Sequence, residues 1–191
     1  MQSHQLLRKN LAQKINLTDD EFEIITSFFK SKFIKKKKDF LREGEVCHHL
    51  AFVTKGAIRS YSIDMKGIEH VVQIALENYW ISDLYSFLNF TPSELTIEAI
   101  EDTEVLLISY FDLDRMYLEV PIIERFFRKL FERAYSVTLQ RLNADHSEPA
   151  DVRYRNLIES HPDLIQRVPL MHIASYLGIT PETLSRIRRN L

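Results

Sequence analysis

Seven polar side chains lie within a ten-residue stretch near the carboxyl end of the chain: Thr180, Glu182, Thr183, Ser185, Arg186, Arg188 and Arg189. Arginine can donate two hydrogen bonds to guanine, glutamate can accept one from the cytosine amino group, and arginines also hold phosphates. If the stretch is a helix, Leu184, Ile187 and Leu191 share its inner face, and the polar side chains point outward. The pattern predicts a surface that reads double-stranded DNA, with Glu182 and Arg186 on bases and Arg188 and Arg189 on phosphates.

The sequence also predicts the elements that hold this surface. A short helix is expected over 170–177, and Gly178 ends it because glycine adopts a left-handed backbone at little steric cost. Thr180 can cap a second helix, and Pro181 fits its first turn. The four structural positions of a helix-turn-helix are then filled by Ala174, Gly178, Leu184 and Ile187. The alternative is an ordinary two-helix corner, which also needs a small residue, a glycine and apolar anchors.

The composition is that of an ordinary folded protein. The chain has 191 residues, of which 45% are hydrophobic, and a formal net charge of −2, which argues against a wholly basic nucleic-acid coat. Positive charge is concentrated at the end, because residues 164–191 carry four arginines and one glutamate. A single cysteine, Cys47, excludes an internal disulfide framework, so we expect a cytoplasmic protein. We find no candidate membrane span and no signal peptide.

Helical and β-rich patterns alternate along the first 118 residues. Thr18 and Glu21 form a capping box before a short amphipathic helix, which is expected to open the domain. From about residue 33 to residue 109, short β-rich runs are separated by turn signals, a pattern typical of a sandwich or barrel. Such a sheet would close around an interior large enough for one small ligand. The sequence therefore predicts an α+β fold.

Two details of the predicted strands concern their turns and faces. Gly56 and residues 64–67 are expected to form hairpin corners. Val72, Ile74 and Leu76 lie at every second position and should share one face of a strand, as should Leu95, Ile97 and Ala99 in a later strand.

A long helix is predicted after residue 111. Its apolar residues recur at alternating steps of four and three, as in a coiled coil: Ile123, Phe127, Leu130, Ala134 and Val137. We expect this seam to pair with the same helix of a second subunit in a two-fold homodimer, while Phe126 and Phe131 cover the sheet. The alternative is that the helix only covers its own sheet. A hinge is expected over 143–150, followed by a helix over 150–160.

This order of elements resembles the Crp/Fnr family of bacterial transcription regulators over nearly the whole chain. The similar segments are Leu41-Arg42-Glu43-Gly44-Glu45, Val53-Thr54-Lys55-Gly56, residues 79–84 and residues 177–187, the last resembling the Bacteroidetes version. The resemblance implies a cyclic nucleotide-binding-like β-roll over 1–118, a dimerisation helix with hinge over 119–146, and a DNA-binding helix-turn-helix over 147–191. Glu182 and Arg186 match the family's DNA-reading pair, whereas Pro181 replaces its preceding arginine. The resemblance also implies RNA polymerase as a partner.

The ligand cassette of the family is altered here. The positions that bind a cyclic nucleotide in other members correspond to Ser82, Asp83, Leu84, Ser93 and Glu94. No cation remains for the cyclic phosphate, and Glu94 would repel it. We therefore do not expect cyclic AMP to bind, and the interior holds either another small molecule or aromatic side chains. No cofactor is identified by the sequence.

Other chemistry has less support in the sequence. The adjacent Cys47, His48 and His49 would point to opposite faces of a strand, so a surface turn is expected there and no metal site. The lysines of 35–38 are expected on a solvated strand edge, with DNA or an acidic partner as the alternative. Residues 112–117 are expected on a short exposed helix. The sequence shows no catalytic motif, so an enzyme is not expected.

Together these features predict a homodimeric transcription regulator that reads DNA and responds to a small molecule. The alternative is a signal-binding or protein-interaction module whose helix-turn-helix no longer reads DNA. It is supported by the end of the sequence at Leu191, which leaves no residues for a β-wing after the recognition helix.

Overall fold

The computed structural model describes residues 2–190, which form two four-stranded antiparallel sheets and nine helices. The strands are β1 Lys30–Ile34, β2 Asp39–Leu41, β3 His49–Lys55, β4 Ile58–Ile63, β5 Glu69–Ala75, β6 Trp80–Ile81, β7 Thr96–Ala99 and β8 Thr103–Ser109. One sheet has the order β1-β8-β3-β6 and the other β2-β7-β4-β5. The α+β fold expected from the sequence is confirmed.

Two helices precede the sheets. The capping box is confirmed in α2 (Asp19–Ser27), where the Glu21 amide donates to Thr18 Oγ1 at 3.2 Å and the Thr18 amide donates to Glu21 Oε2 at 2.8 Å. The expectation that this helix opens the domain is wrong, because α1 spans Gln2–Ala12. Leu7 and Leu11, one turn apart in α1, are buried in the core. Two buried leucines were too short an apolar pattern to indicate that helix.

The two predicted corners differ. The corner at residues 64–67 joins the paired strands β4 and β5, as expected for a hairpin. At Gly56 the hairpin is wrong, because β3 and β4 belong to different sheets and the corner passes the chain between them. Gly56 has a φ of +98°, and a Cβ there would lie 2.6 Å from the Asp102 carbonyl oxygen. Close packing between the sheets therefore requires glycine at this corner.

Apolar side chains fill the core of the β-roll and the layer between its sheet and the helices. The largest that are fully buried include Phe52 and Phe87, and Trp80 packs against Phe52 with ring centroids 4.9 Å apart and against Phe127 at 5.3 Å. In β5 the inward residues are Val71 and Ala75. The aromatic side chains around Trp80 lie between the sheet and the helices, so the choice between a small molecule and aromatic side chains in the interior of the β-roll stays open.

The predicted face of β5 points away from this interior. Val72 is exposed, while Ile74 and Leu76 pack against the terminal helices. The alternation was therefore recognised correctly, but it marks the surface on which the helix-turn-helix lies. Ile97 and Ala99 of β7 are buried, as expected.

The short helix α3, Leu84–Asn89, lies between β6 and β7. Six helices follow the last strand: α4 Tyr110–Glu119, α5 Ile122–Ser147, α6 Ala150–Ser160, α7 Pro162–Arg167, α8 Leu170–Tyr176 and α9 Pro181–Arg189. The helix expected over 150–160 is confirmed as α6. The hinge expected over 143–150 is shorter in the structure, because α5 continues to Ser147 and breaks only at Glu148 and Pro149.

The predicted seam on α5 is divided between two environments. Ile123 and Phe127 are buried in the core of their own β-roll, and Leu130 packs against that core. Ile123 and Phe127 are therefore not free to form a dimer interface, which corrects the expectation for these two residues, while Leu130 is only partly buried. Ala134 and Val137 are exposed, as is every residue from 132 to 140. The helix meets the β-roll again at Arg141, which donates to the Val72 carbonyl oxygen of β5 at 2.5 Å. The same periodicity is therefore buried in its first half and exposed in its second.

The terminal helices pack directly on the β-roll. Ala57 and Ile100 share an apolar cluster with residues of α6 to α9, including Tyr154, Ile173 and Leu184. Within residues 2–190 no helix is long and apolar enough to cross a membrane.

Candidate DNA-binding and effector sites

Helices α8 and α9 form the turn that the sequence predicted. The α8 cap is Leu177, and Gly178 follows in a left-handed conformation with a φ of +66°. Thr180 is the N-cap of α9, and its Oγ1 accepts a hydrogen bond of 3.2 Å from the Thr183 amide. Pro181 is the first residue of α9 and needs no amide partner there. Local chemistry therefore fixes both the end of α8 and the start of α9.

Buried side chains hold the two helices together. Ala174 and Leu184 are fully buried, and Ile187 is partly buried against the same cluster. The small side chain of Ala174 allows α9 to cross α8 closely. Leu191, which the sequence also placed on this inner face, lies outside the described residues.

The outer face of α9 carries the predicted DNA-reading side chains. The exposed residues are Thr180, Glu182, Ser185, Arg186, Arg188 and Arg189. Thr183 is half-buried, and its Oγ1 accepts from Thr180 Oγ1 at 3.2 Å, so the two hydroxyl groups mainly complete the helix cap. Hydrogen bonds from the backbone amide of Glu182 and from Thr180 lower the pKa of the Glu182 carboxyl, which is therefore a charged acceptor at neutral pH. Among residues 2–190 the three arginines have no carboxylate partner.

The predicted ligand cassette contains a closed network of hydrogen bonds. The Asp83 carboxylate caps α3 by accepting from the Ser86 amide at 3.1 Å, and it accepts from Ser93 Oγ at 2.7 Å. All three residues are buried. Leu84 packs against the core, while Glu94 is exposed. The structure thus brings Asp83 and Ser93 together. The negative charge at the start of α3 is the carboxylate of Asp83, a side chain of this protein.

Cys47 and Ser82 extend this network, which corrects the surface turn expected at residues 47–49. Cys47 is buried, with its sulfur 3.2 Å from Ser82 Oγ, and its amide donates to Ser86 Oγ at 2.8 Å. His48 is exposed and His49 is half-buried in β3. Within the described residues there is no group of three or more metal-binding side chains. Ser86 was missed by sequence reasoning because a serine inside a short helix gives no local signal of burial.

Two further predicted segments lie apart from these sites. The lysines of 35–38 occupy an exposed turn between β1 and β2 rather than a strand edge, and Lys37 has a φ of +62°. Asp112 and Asp114 lie on α4, as expected, and Ser109 caps that helix.

A polar interface between the β-roll and the terminal helices was not predicted. We call it the interdomain seam and define it by Arg59, Glu69, Glu77, Glu101, Arg167 and His172. Arg59 Nη1 donates to Glu69 Oε2 at 2.5 Å and to His172 Nδ1 at 3.0 Å. Arg167 Nη1 donates to Glu77 Oε2 at 2.6 Å, and Arg167 also pairs with Glu101.

Burial and nearby charges shift the pKa values of Glu77 and His172 at this seam. Burial alone would raise the pKa of Glu77, but hydrogen bonds from Arg167 and from the Gly56 amide hold it below its usual value. Burial and the Arg59 guanidinium lower the pKa of His172, whereas Glu69 opposes them. His172 is thus a neutral acceptor for Arg59 at neutral pH. The partners are far apart in the sequence, and no local pattern connects them.

Comparison with known proteins agrees with this architecture. Residues 31–119 match the cyclic nucleotide-binding domain family. The transcriptional regulatory protein Btr of Bordetella pertussis is 32% identical over 100 residues, which cover 47% of this chain and 41% of Btr. The transcriptional activator FnrA of Stutzerimonas stutzeri is 23% identical over 165 residues, covering 81% of this chain and 67% of FnrA. The match to Btr thus spans less than half of that relative.

A solved structure shows the same fold over most of the chain. FixK2 from Bradyrhizobium japonicum has a TM-score of 0.71 at 20% identity and covers 85% of this chain and 84% of its own. The β-roll followed by helices is therefore confirmed as a fold. The curated relatives are named as transcriptional regulators and not as enzymes. They are proteobacterial, so the Bacteroidetes version suggested by the sequence stays a prediction.

Proposed function

We propose that this chain is a transcription regulator of the Crp/Fnr type, that it binds double-stranded DNA sequence-specifically as a homodimer, and that it responds to a small molecule other than cyclic AMP. The observation that carries the DNA proposal is the outer face of α9. Arg186, Arg188 and Arg189 are exposed there without a carboxylate partner among the described residues, beside the charged acceptor Glu182. A major groove offers this face guanine acceptors, cytosine donors and phosphates.

Selection from a random DNA pool tests this proposal. A dimeric reader should enrich an inverted repeat whose half-sites lie about one helical turn, or about 34 Å, apart. The affinity for mixed DNA should also fall steeply with salt, because phosphate contacts release counterions. If no motif is enriched and binding is indifferent to salt, the helix-turn-helix is a protein-interaction module instead.

The dimer proposal rests on the exposed second half of α5. Tyr135, Val137, Leu139 and Leu142 are all exposed large apolar residues, at 68%, 50%, 42% and 52% of their surface. The first three lie in the segment of α5 in which every residue from 132 to 140 is exposed. Ala134 and Val137 share one face of it, and pairing of that face with its copy would bury both residues, with the neighbouring face of Tyr135, Leu139 and Leu142 beside the contact.

Sedimentation of two matched variants tests the dimer. Val137→Glu should shift the protein toward monomers and remove the inverted repeat from the selected DNA, because the pairing would bury a charge. Ile63→Glu is the control, since Ile63 is 47% exposed at the end of β4, away from α5. If both variants sediment like the unaltered protein, the second half of α5 is not the interface.

Insensitivity to cyclic AMP is supported by the cassette network. A cyclic phosphate at the start of α3 would meet the Asp83 carboxylate, which already accepts from Ser86 and Ser93. Two anions at one site repel each other, and no cation is available from the cassette residues. Calorimetric titration with cyclic AMP should give no binding heat, and the selected DNA motif should be the same with and without it. Binding of cyclic AMP would show that the network opens.

A further inference from the structure

A cleft lies between the segment that follows α1 and the first turns of α5. It has a volume of about 340 Å³, and its lining includes Gln13, Lys14, Asn16, Ile122 and Arg125. The volume is at the lower end of the range usual for small-molecule sites, about 300–1,000 Å³. The cleft is separate from the cassette at α3 and from the outer face of α9, and neither the DNA nor the dimer proposal uses it.

A stripe of positive charge leads along α5 from this cleft. Arg125, Lys129 and Arg133 follow one another at intervals of four residues and so lie on one face of the helix. Like charges at this spacing repel each other and destabilise a helix. Arg128, on a neighbouring face, is neutralised by Glu132 at 2.5 Å. In the described part of the chain the three stripe residues have no such partner.

Lys14 faces the stripe from the other wall of the cleft. Its Nζ lies over the ring of Phe126, 5.3 Å from the ring centroid, which holds the amine at a fixed position beside α5. Partial burial lowers the pKa of Lys14, and the charges of Arg133 and Lys129 lower it further. The charged groups acting on Lys14 are therefore cations, and bringing an anion into the cleft would relieve their repulsion.

We propose that this cleft binds a small phosphate-bearing anion, a phosphate monoester being the class that fits best. Lys14 and Arg125 would contact the phosphate oxygens as charge-assisted donors. The side-chain amides of Gln13 and Asn16 belong to the same lining. A dianion is favoured over an apolar ligand because the polar lining of the cleft is flanked by Lys129 and Arg133. The ligand would join the α1–α2 segment to α5, the helix that leads to the DNA-reading helices.

Calorimetric titration with phenyl phosphate tests the site in the absence of DNA. Phosphate monoesters have a second pKa of about 6, so this probe is a dianion throughout the pH range 7.5–9.5. The unaltered protein should bind it, and Lys14→Gln or Arg125→Gln should each weaken binding by about tenfold. Lys35→Gln with Lys38→Gln, in the exposed turn between β1 and β2, is the control and should leave the affinity unchanged. Equal affinity in all variants, or no binding by the unaltered protein, would overturn the proposal.

A pH series separates the direct role of Lys14 from general charge. Binding should weaken as the pH rises and the Lys14 ammonium, with its lowered pKa, loses its proton. Lys14→Arg should keep the affinity and remove this pH dependence, because arginine stays charged. If Lys14→Arg binds the probe as weakly as Lys14→Gln, the positive charge at this position does not hold the anion, and the contact proposed for Lys14 is wrong.

A binding measurement with DNA distinguishes a small phosphate ligand from the phosphates of a nucleic-acid backbone. A mixed-sequence duplex should bind Lys14→Gln and Arg125→Gln as tightly as it binds the unaltered protein. Weaker duplex binding would mean that the cleft holds a nucleic-acid backbone, and the small-anion proposal would fail while the DNA proposal stood. Conversely, probe binding without any DNA binding would support the cleft and remove the regulator proposal.

Discussion

The arginines of the interdomain seam and those on the outer face of α9 are the same side chain in opposite situations. The Arg59 side chain is only 4% exposed and donates to Glu69 and His172, and Arg167 is held between Glu77 and Glu101. Arg186, Arg188 and Arg189 are exposed, with no carboxylate partner in the described part of the chain. Positive charge alone therefore does not indicate a nucleic-acid site.

The difference lies in whether a partner is already present. A buried arginine with acidic neighbours contributes to folding, because its removal leaves those acids without a counter-charge. An exposed arginine contributes little to folding and remains available to an external anion. Substitutions in the seam should thus change stability, and substitutions on α9 should change DNA binding without changing stability.

The largest effect is expected for Arg59→Ala. The substitution removes a buried guanidinium from Glu69, Glu98 and His172, and we expect it to lower the free energy of unfolding by about 2–4 kcal/mol. Urea denaturation measures this loss. The control is Arg42→Ala, because Arg42 pairs with Asp39 on the surface, where solvent screens the pair, and should change stability much less. Equal losses in the two variants would remove the distinction between the seam and the surface.

Arg186→Ala should have the next largest effect, on binding instead of folding. Loss of a bidentate base contact should cost about 1–3 kcal/mol of DNA-binding free energy and relax the preference at one base pair. Its urea denaturation midpoint should stay unchanged, in contrast to Arg59→Ala. Repeating the DNA selection with the variant measures the preference. An unchanged motif would show that this side of α9 does not face the bases.

Arg189→Ala should have a smaller and different effect. A phosphate contact carries no sequence information, so the variant should bind all sequences more weakly and keep the same motif. The slope of the logarithm of affinity against the logarithm of salt concentration should decrease in size by about 0.9. A change in the motif with an unchanged slope would exchange the roles of Arg186 and Arg189.

Local patterns explain what could be predicted from the sequence. The end of α8 at Gly178, the cap at Thr180 and the capping box at Thr18 each depend on residues within a few positions of one another. The alternation in β5 was also readable, although its direction was not. An alternating strand does not reveal which face meets the core when both faces are covered, and here Ile74 and Leu76 are covered by the terminal helices.

Contacts between distant residues explain what could not be predicted. Asp83 could be aligned with a ligand cassette, but its bond to Ser93 depends on how two loops fold together. The apolar repeat on α5 keeps one period from Ile123 to Val137. Only the position of the β-roll decides that Phe127 is buried and Val137 is exposed. Arg59 and His172 are 113 positions apart.

The smallest expected effect concerns pH and the seam residue His172. Its pKa is about 6.5 in the unfolded chain and lower in the folded protein, because of burial and the nearby Arg59. Between these two pKa values the unfolded chain binds more protons, so the stabilisation by neutral His172 is complete above about pH 6.5 and is lost as the pH falls below it. Protonation also replaces the acceptor Nδ1 with a donor that faces the Arg59 guanidinium.

His172→Gln should therefore reduce the loss of stability between pH 7.5 and pH 5.5, since an amide can accept from Arg59 at both values. The expected difference is a few tenths of a kcal/mol per pH unit, below the 1.4 kcal/mol or so that uptake of one full proton would give. His49→Gln is the necessary comparison, because burial also lowers the pKa of His49, in β3 and away from the seam. Both variants should flatten the pH dependence of urea denaturation, because each removes an imidazole with a lowered pKa. If only His49→Gln flattens it, the acid sensitivity belongs to the β-roll, and the interdomain seam does not respond to pH.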